Sequence, residues 1–286
     1  MKVLLDRRRP LVGLLLTACL ALAGCADVAP PIDNSNVPPD ESESMPLPSR
    51  ATVMLRVPTL ADGVVQVGTA EVNVGTVSLD RGSIKLTTGW DGEPAIRFPA
   101  FTDTKFYPRA AMVVSNSGTG PDQLNPGTKD FSWGADFWLD SRSKGASSDN
   151  GDNLVQRGIY TFPNYFKAEV DSDHPACAVR GDDGYLYVRG YEELETQTWY
   201  RLTCNRSGDV LTIVVAEISP TGGGRPITHS QTGPIGSILF KDKTTPLSVG
   251  GKVGSDGQLL EGATDQFNGV VMNPFLDIKA SSPASR

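Results

Sequence analysis

Residues Phe131 to Asp140 read FSWGADFWLD. Alternation places Phe131, Trp133, Ala135, Phe137 and Leu139 on one face and Trp138 on the other, because successive side chains of a strand leave on opposite sides. The stretch therefore predicts a strand with one deeply apolar face. Such a face needs a second apolar layer against it. The rest of the chain supplies material of the same kind. Thr52–Val57, Val72–Val74, Val77–Leu79 and Phe166–Asp171 alternate, and Leu247–Gly250 and Val270–Ile278 complete the series. WYRLTC (199–204) and DVLTIVVA (209–216) flank Arg206-Ser207-Gly208, which predicts a hairpin. No stretch holds an amphipathic helical period, and 30 glycines and 21 prolines punctuate the strands. The expected fold is all-β: a two-sheet antiparallel β-sandwich spanning residues 51–281, followed by a short tail at 282–286.

The N-terminus speaks to compartment. Lys2, Arg7, Arg8 and Arg9 form a basic head ahead of an apolar run from Leu11 to Gly24. That run is shorter than the roughly 20 residues a bilayer crossing takes. It has the proportions of a secretory signal. It ends in Leu22-Ala23-Gly24-Cys25, which resembles the bacterial lipobox. Residues 1–24 are thus expected to be a lipoprotein signal peptide, with lipidation at Cys25. Residues 25–50 carry six prolines and the acidic run Asp40-Glu41-Ser42-Glu43, as a solvated, Pro-rich tether would. The expected location is extracytoplasmic, anchored to the membrane by a lipid on Cys25.

Removing Lys2, Arg7, Arg8, Arg9 and Asp6 with the leader takes the formal charge from −7 to −10. Nothing supplies the basic patch that nucleic-acid binding requires, so no nucleic-acid partner is expected. Cys19 leaves with the leader, which leaves Cys177 and Cys204 as the only other thiols besides Cys25. An oxidising compartment predicts that these two form a disulfide. With only His174 and His229 as further soft ligands, a zinc site is not expected.

FSWGADFWLD, DNLVQRG (152–158), HPACAVRG (174–181), WYRLTC, PLSVGGK (246–252) and FNGVV (267–271) resemble, in order and spacing, the laminin G-like, concanavalin A-like jelly rolls of bacterial secreted proteins. The resemblance implies the sandwich fold. It narrows function little, because this fold hosts lectins, adhesion modules, calcium-dependent binders and glycanases. Relatives often carry an acid after the last FxGxV element, where this chain has Met272.

Three stretches are candidates for chemistry. Asp149-Asn150-Gly151-Asp152-Asn153 gathers side-chain oxygens ahead of the strand Leu154–Gly158. Asp149, Asp152 and Asn153 could ligate calcium. The spacing is not that of an EF-hand, and an Asx-rich turn uses the same residues for local backbone bonding. The turn is favoured. No cofactor is expected, and calcium is the one ion these oxygens would suit. Glu169-Val170-Asp171-Ser172-Asp173 is similar to the E-x-D-x-E strand of laminarinase-like hydrolases of this fold, in which one carboxylate is nucleophile and another general acid. Here the third acid is Asp173, one methylene short, and Pro175 stands two residues further on. The plainer reading leaves Glu169 and Asp171 in water, so no catalytic residue is assigned. Tyr185, Tyr187, Arg189 and Tyr191 fall at alternate positions, and would present rings and a cation for stacking sugars and bonding hydroxyls. Trp138 could join them.

The expected function is binding: of a glycan first, of an envelope protein or in a structural role second, with glycoside hydrolysis third. Cys25→Ser should move the protein out of the membrane fraction or block its maturation. Unchanged fractionation of that variant would contradict the anchor.

Overall fold

The computed structural model describes residues 45–279, apart from 60, 62, 103–105, 142–150, 243 and 262–264. Cys25, Asp149 and Asn150 lie outside the described residues, as do the leader, most of the tether and the tail. Every regular element described is a strand: β1 (Val53–Arg56), β2 (Val65–Gln66), β3 (Val72–Leu79), β4 (Lys85–Thr88), β5 (Pro94–Arg97), β6 (Arg109–Asn116), β7 (Phe131–Leu139), β8 (Gly151–Arg157), β9 (Tyr165–Asp171), β10 (His174–Gly181), β11 (Gly184–Arg189), β12 (Trp199–Ser207), β13 (Val210–Glu217), β14 (Ile227–Thr232), β15 (Leu247–Val249) and β16 (Gly269–Ile278). They form two antiparallel sheets. One runs β14-β13-β12-β7-β16-β1-β2, with β5 on β16 and β4 on β5; the other runs β11-β10-β9-β8-β15-β6-β3.

The sandwich closes as the alternation requires. All five apolar residues that share a face of β7 are buried, while Trp138 points out of the sheet. Phe166, Ala168 and Val170 of β9 meet them from the other sheet. Trp133 sits between Phe131, stacked at 4.7 Å, and Phe166, at 5.3 Å. Cys177 of β10 is bonded to Cys204 of β12, with Cα atoms 5.8 Å apart, so the disulfide ties one sheet to the other.

Two buried charges are held by several partners each. Arg157 is fully buried; it donates to Asp122 at 2.5 Å, to Asn125 and to the Thr245 carbonyl at 3.1 Å, and lies over the Phe240 ring. Asp136 on the outer face of β7 is also fully buried, and takes both arms of Arg201 and the Asn273 amide. Asn273 can reach it because the β7–β16 register shifts between Met272 and Phe275, where Asn273 adopts a φ of 52°. The packed chain begins ahead of Ala51: Leu47 packs on Ala51, Met54 and Phe275, and Arg201 donates to the Met45 carbonyl. Residues 45–50 therefore belong to the sandwich and not to the tether, because they cover apolar side chains on the outside of the larger sheet.

The disulfide closes a separation of 27 residues. Cys177→Ser together with Cys204→Ser should cost roughly 3–4 kcal/mol on the chain-entropy model. Urea denaturation of the double variant measures it. Two free thiols in the unfolded, unreduced wild type would contradict the bridge.

Candidate functional site

The site grows out of three neighbouring strands. β9, β10 and β11 are joined by two tight hairpins. Ser172 and Asp173 make the first, with φ of 49° and 67°, the pair of positive values a type I′ turn demands. Pairing sets Tyr185, Arg180 and Tyr165 in one cross-strand row; Tyr187, Ala178 and Lys167 in the next; and Arg189, Ala176 and Glu169 in a third. The residues between these rows, such as Cys177, Val179, Phe166 and Val188, are core. The rows are therefore the outer face of the smaller sheet. Ala176 and Ala178 are buried under their neighbours, which leaves room for the Tyr187 and Arg189 side chains to lie across β10 toward β9.

They reach Asp171. The Tyr187 hydroxyl donates to its carboxylate at 2.7 Å, and Arg189 donates to its carbonyl at 3.1 Å and stands 3.9 Å from its carboxylate. One row away, the Arg180 guanidinium lies among three rings: Tyr160 at 4.5 Å, Tyr185 at 5.2 Å and Tyr165 at 5.3 Å. Such cation–π contacts hold an exposed aromatic group in a fixed arrangement. Tyr160 is 65% exposed and Tyr185 also faces solvent. Lys167 pairs with Glu169, and Lys252 with Asp265. Together Gly151, Tyr160, Tyr165, Lys167, Glu169, Asp171, Tyr185, Tyr187 and Asp265 line a cleft of about 230 Å³. Burial raises the Glu169 carboxyl above its ordinary value against the pull of Lys167, with Asp265 and Asp171 adding to the rise. Burial likewise pushes the Tyr187 phenol up, followed by its bond to Asp171.

The structure sorts the expected site residues. Tyr185, Tyr187 and Arg189 share the outer face as alternation predicts. Tyr191 does not, because β11 ends at Arg189, where the Gly190 amide turns back to the Pro175 carbonyl. It is 83% exposed and packs edge-on against His229 at 4.9 Å. Trp138 belongs to the other sheet: it clusters with Trp90 and Trp199 on Val270 and Met272, under the Arg97 guanidinium. The place where relatives carry an acid, Met272, is in this apolar cluster and not in the cleft. Asp152 and Asn153 are not in a turn. β8 starts at Gly151, so they are consecutive strand residues and their side chains leave on opposite faces. Asp152 accepts from the Asn268 amide, and Asn153 stands opposite Glu169. Glu169 is not in water either: it is 3% exposed, at the floor of the cleft. Asp173, in the turn, is off the face that carries Glu169 and Asp171. Tyr165, Lys167 and Arg180 were within reach of the same alternation argument; Tyr160, Gly151 and Asp265 arrive from loops and a neighbouring strand.

No protein-family model matches this sequence, and no curated protein matches it. Among solved structures, the binding domain of paraclostridial mosquitocidal protein 1 superposes with a TM-score of 0.53 at 12% identity, over 82% of this chain and 50% of that one. The botulinum neurotoxin serotype D binding domain gives 0.46 at 9%, over 82% and 49%. The LG1-3 region of the laminin alpha2 chain gives 0.40 at 12%, over 75% and 33%. The chain spans half or less of the length of these matches. At such identities the first of them shows the fold alone, an antiparallel β-sandwich.

The raised Glu169 carboxyl has a signed consequence. The folded protein holds this proton at pH values where the unfolded chain, near 4.5, has lost it. Stability from the protonated form is therefore present at low pH and lost as pH rises from 4.5 through the folded value. Glu169→Gln, which resembles the protonated acid, should melt with wild type near pH 4 and above it by pH 7. A difference that does not change with pH would contradict a carboxyl held against ionisation.

Proposed function

We propose that the protein is a binding module that takes a glycan in the cleft of its smaller sheet, and that a lipid on Cys25 holds it at the extracytoplasmic side of a membrane. One observation carries the glycan reading: tyrosine rings and carboxylates share a single solvent-open cleft on a rigid three-strand platform. Ring faces suit the C–H faces of a sugar, and carboxylates accept hydrogen bonds from its hydroxyls. Strands β9 to β11 are pinned to the core by the disulfide and Phe166, so the groups are ordered before a ligand arrives, which limits the entropy cost of binding. That the mosquitocidal protein's domain of this fold is named a binding domain fits this reading. Arg201 holds the Met45 carbonyl on the outer face of the opposite sheet, away from the cleft.

A glycan array probed with the full-length protein in detergent tests the proposal. At least one glycan class should bind. Tyr185→Ala should weaken that binding by about tenfold or more, the scale of one lost stacking contact, while Trp138→Ala on the other sheet leaves it unchanged. The bound glycan should be recovered intact after incubation. No glycan bound, or no effect of Tyr185→Ala, would overturn the proposal; release of reducing sugar, abolished by Glu169→Gln, would show a hydrolase instead.

A further inference from the structure

Gly151 opens β8 opposite Asp171, and its backbone lies outside the positive-φ region. Conformation therefore does not require glycine there; a side chain would instead crowd the carboxylates beside it. A Cβ at this position would lie 3.2 Å from Asp265 Oδ1 and 3.6 Å from Glu169 Oε2. Two carboxylate oxygens thus approach one patch of bare backbone, one from strand β9 and one from the segment ahead of β16. Both line the cleft with Tyr185 and Tyr187.

The charges at this spot are matched from within. Lys167 neutralises Glu169 through Oε2, the oxygen that also faces Gly151, whereas Lys252 holds Asp265 through Oδ2 and leaves Oδ1 toward Gly151. A carboxylate has about four lone-pair sites, so one ammonium leaves it able to accept from hydroxyls. An anionic ligand would meet two carboxylates whose cations are committed. A cationic ligand would have to displace a lysine that is already in place. Asn153 stands opposite Glu169, is 1% exposed, and neither its amide oxygen nor its amide nitrogen has a partner, but it does not line the cleft; the subsite rests on Glu169, Asp265 and the bare Gly151 backbone.

We propose that the space above Gly151 is a subsite for an uncharged sugar ring, which donates neighbouring hydroxyls to Glu169 and Asp265; this rests on the glycan reading above. The array then includes uncharged glycans, glycans bearing uronate, sulfate or sialic acid, and glycans with free amines. Uncharged glycans should bind, with affinity changing less than about twofold between low and high salt, since no net charge is exchanged. Gly151→Ala should weaken binding by about tenfold or more with the melting temperature little changed. Asp265→Asn, which adds no atom, should weaken binding as well and covers the case in which Gly151→Ala does not fold. Preference for charged glycans, or wild-type affinity in Asp265→Asn, would overturn the subsite. Tyr185→Ala separates the two levels. Binding lost there but kept in Gly151→Ala and Asp265→Asn removes the subsite and leaves the glycan reading standing. A wild type that binds no glycan removes both.

Discussion

The contact between the sheets at Trp133, Phe166 and the Cys177–Cys204 bridge decides the rest of the molecule. Strand side chains alternate, so fixing one residue of β9 inward fixes all of them; a slip of one would invert both faces. With Phe166, Ala168 and Val170 inward, Tyr165, Lys167, Glu169 and Asp171 must face out. With Cys177 and Val179 inward, Ala176, Ala178 and Arg180 must face out beside them. The cleft is the necessary complement of the core.

That dependence explains how a buried acid is tolerated. An ionised carboxylate without a partner is expensive to bury. Lys167, two residues away on the same strand face, compensates Glu169, and Lys252 does the same for Asp265 from another part of the chain. The larger sheet uses the same device for Asp136, through Arg201 and Asn273. There, the partnership also fastens the start of the packed chain, because Arg201 holds the Met45 carbonyl. One sheet thus spends its outward polar network on anchoring residues 45–50, while the other leaves rings and oxygens at the surface.

The period-two pattern determined much of this by itself. It gave the strand class, the inward face of β7, the placement of Trp138 on the opposite face, the hairpin β12–β13 and the common face of Tyr185, Tyr187 and Arg189. Pro175, not the period, marked that Asp173 lies past the end of the strand that carries Glu169 and Asp171. The pattern failed where a strand ended or began unannounced. Tyr191 keeps the spacing of β11 but lies beyond its last pair, and Asp152 and Asn153 have turn composition yet sit in β8, where cross-strand and cross-sheet bonds replace the turn's own.

What the sequence could not decide is which outward faces meet. Alternation is local, whereas the cleft brings together Gly151 of β8, Tyr160 from a loop, Glu169 of β9, Tyr185 of β11 and Asp265 from the approach to β16. Their sequence separations exceed any local period. Only strand order and register bring Gly151 beside Asp171 and set Glu169 against Asp265 across a bare backbone. The burial of Glu169 has the same origin. Its neighbours in sequence would leave it in water; the strands and loops that fold over it do not.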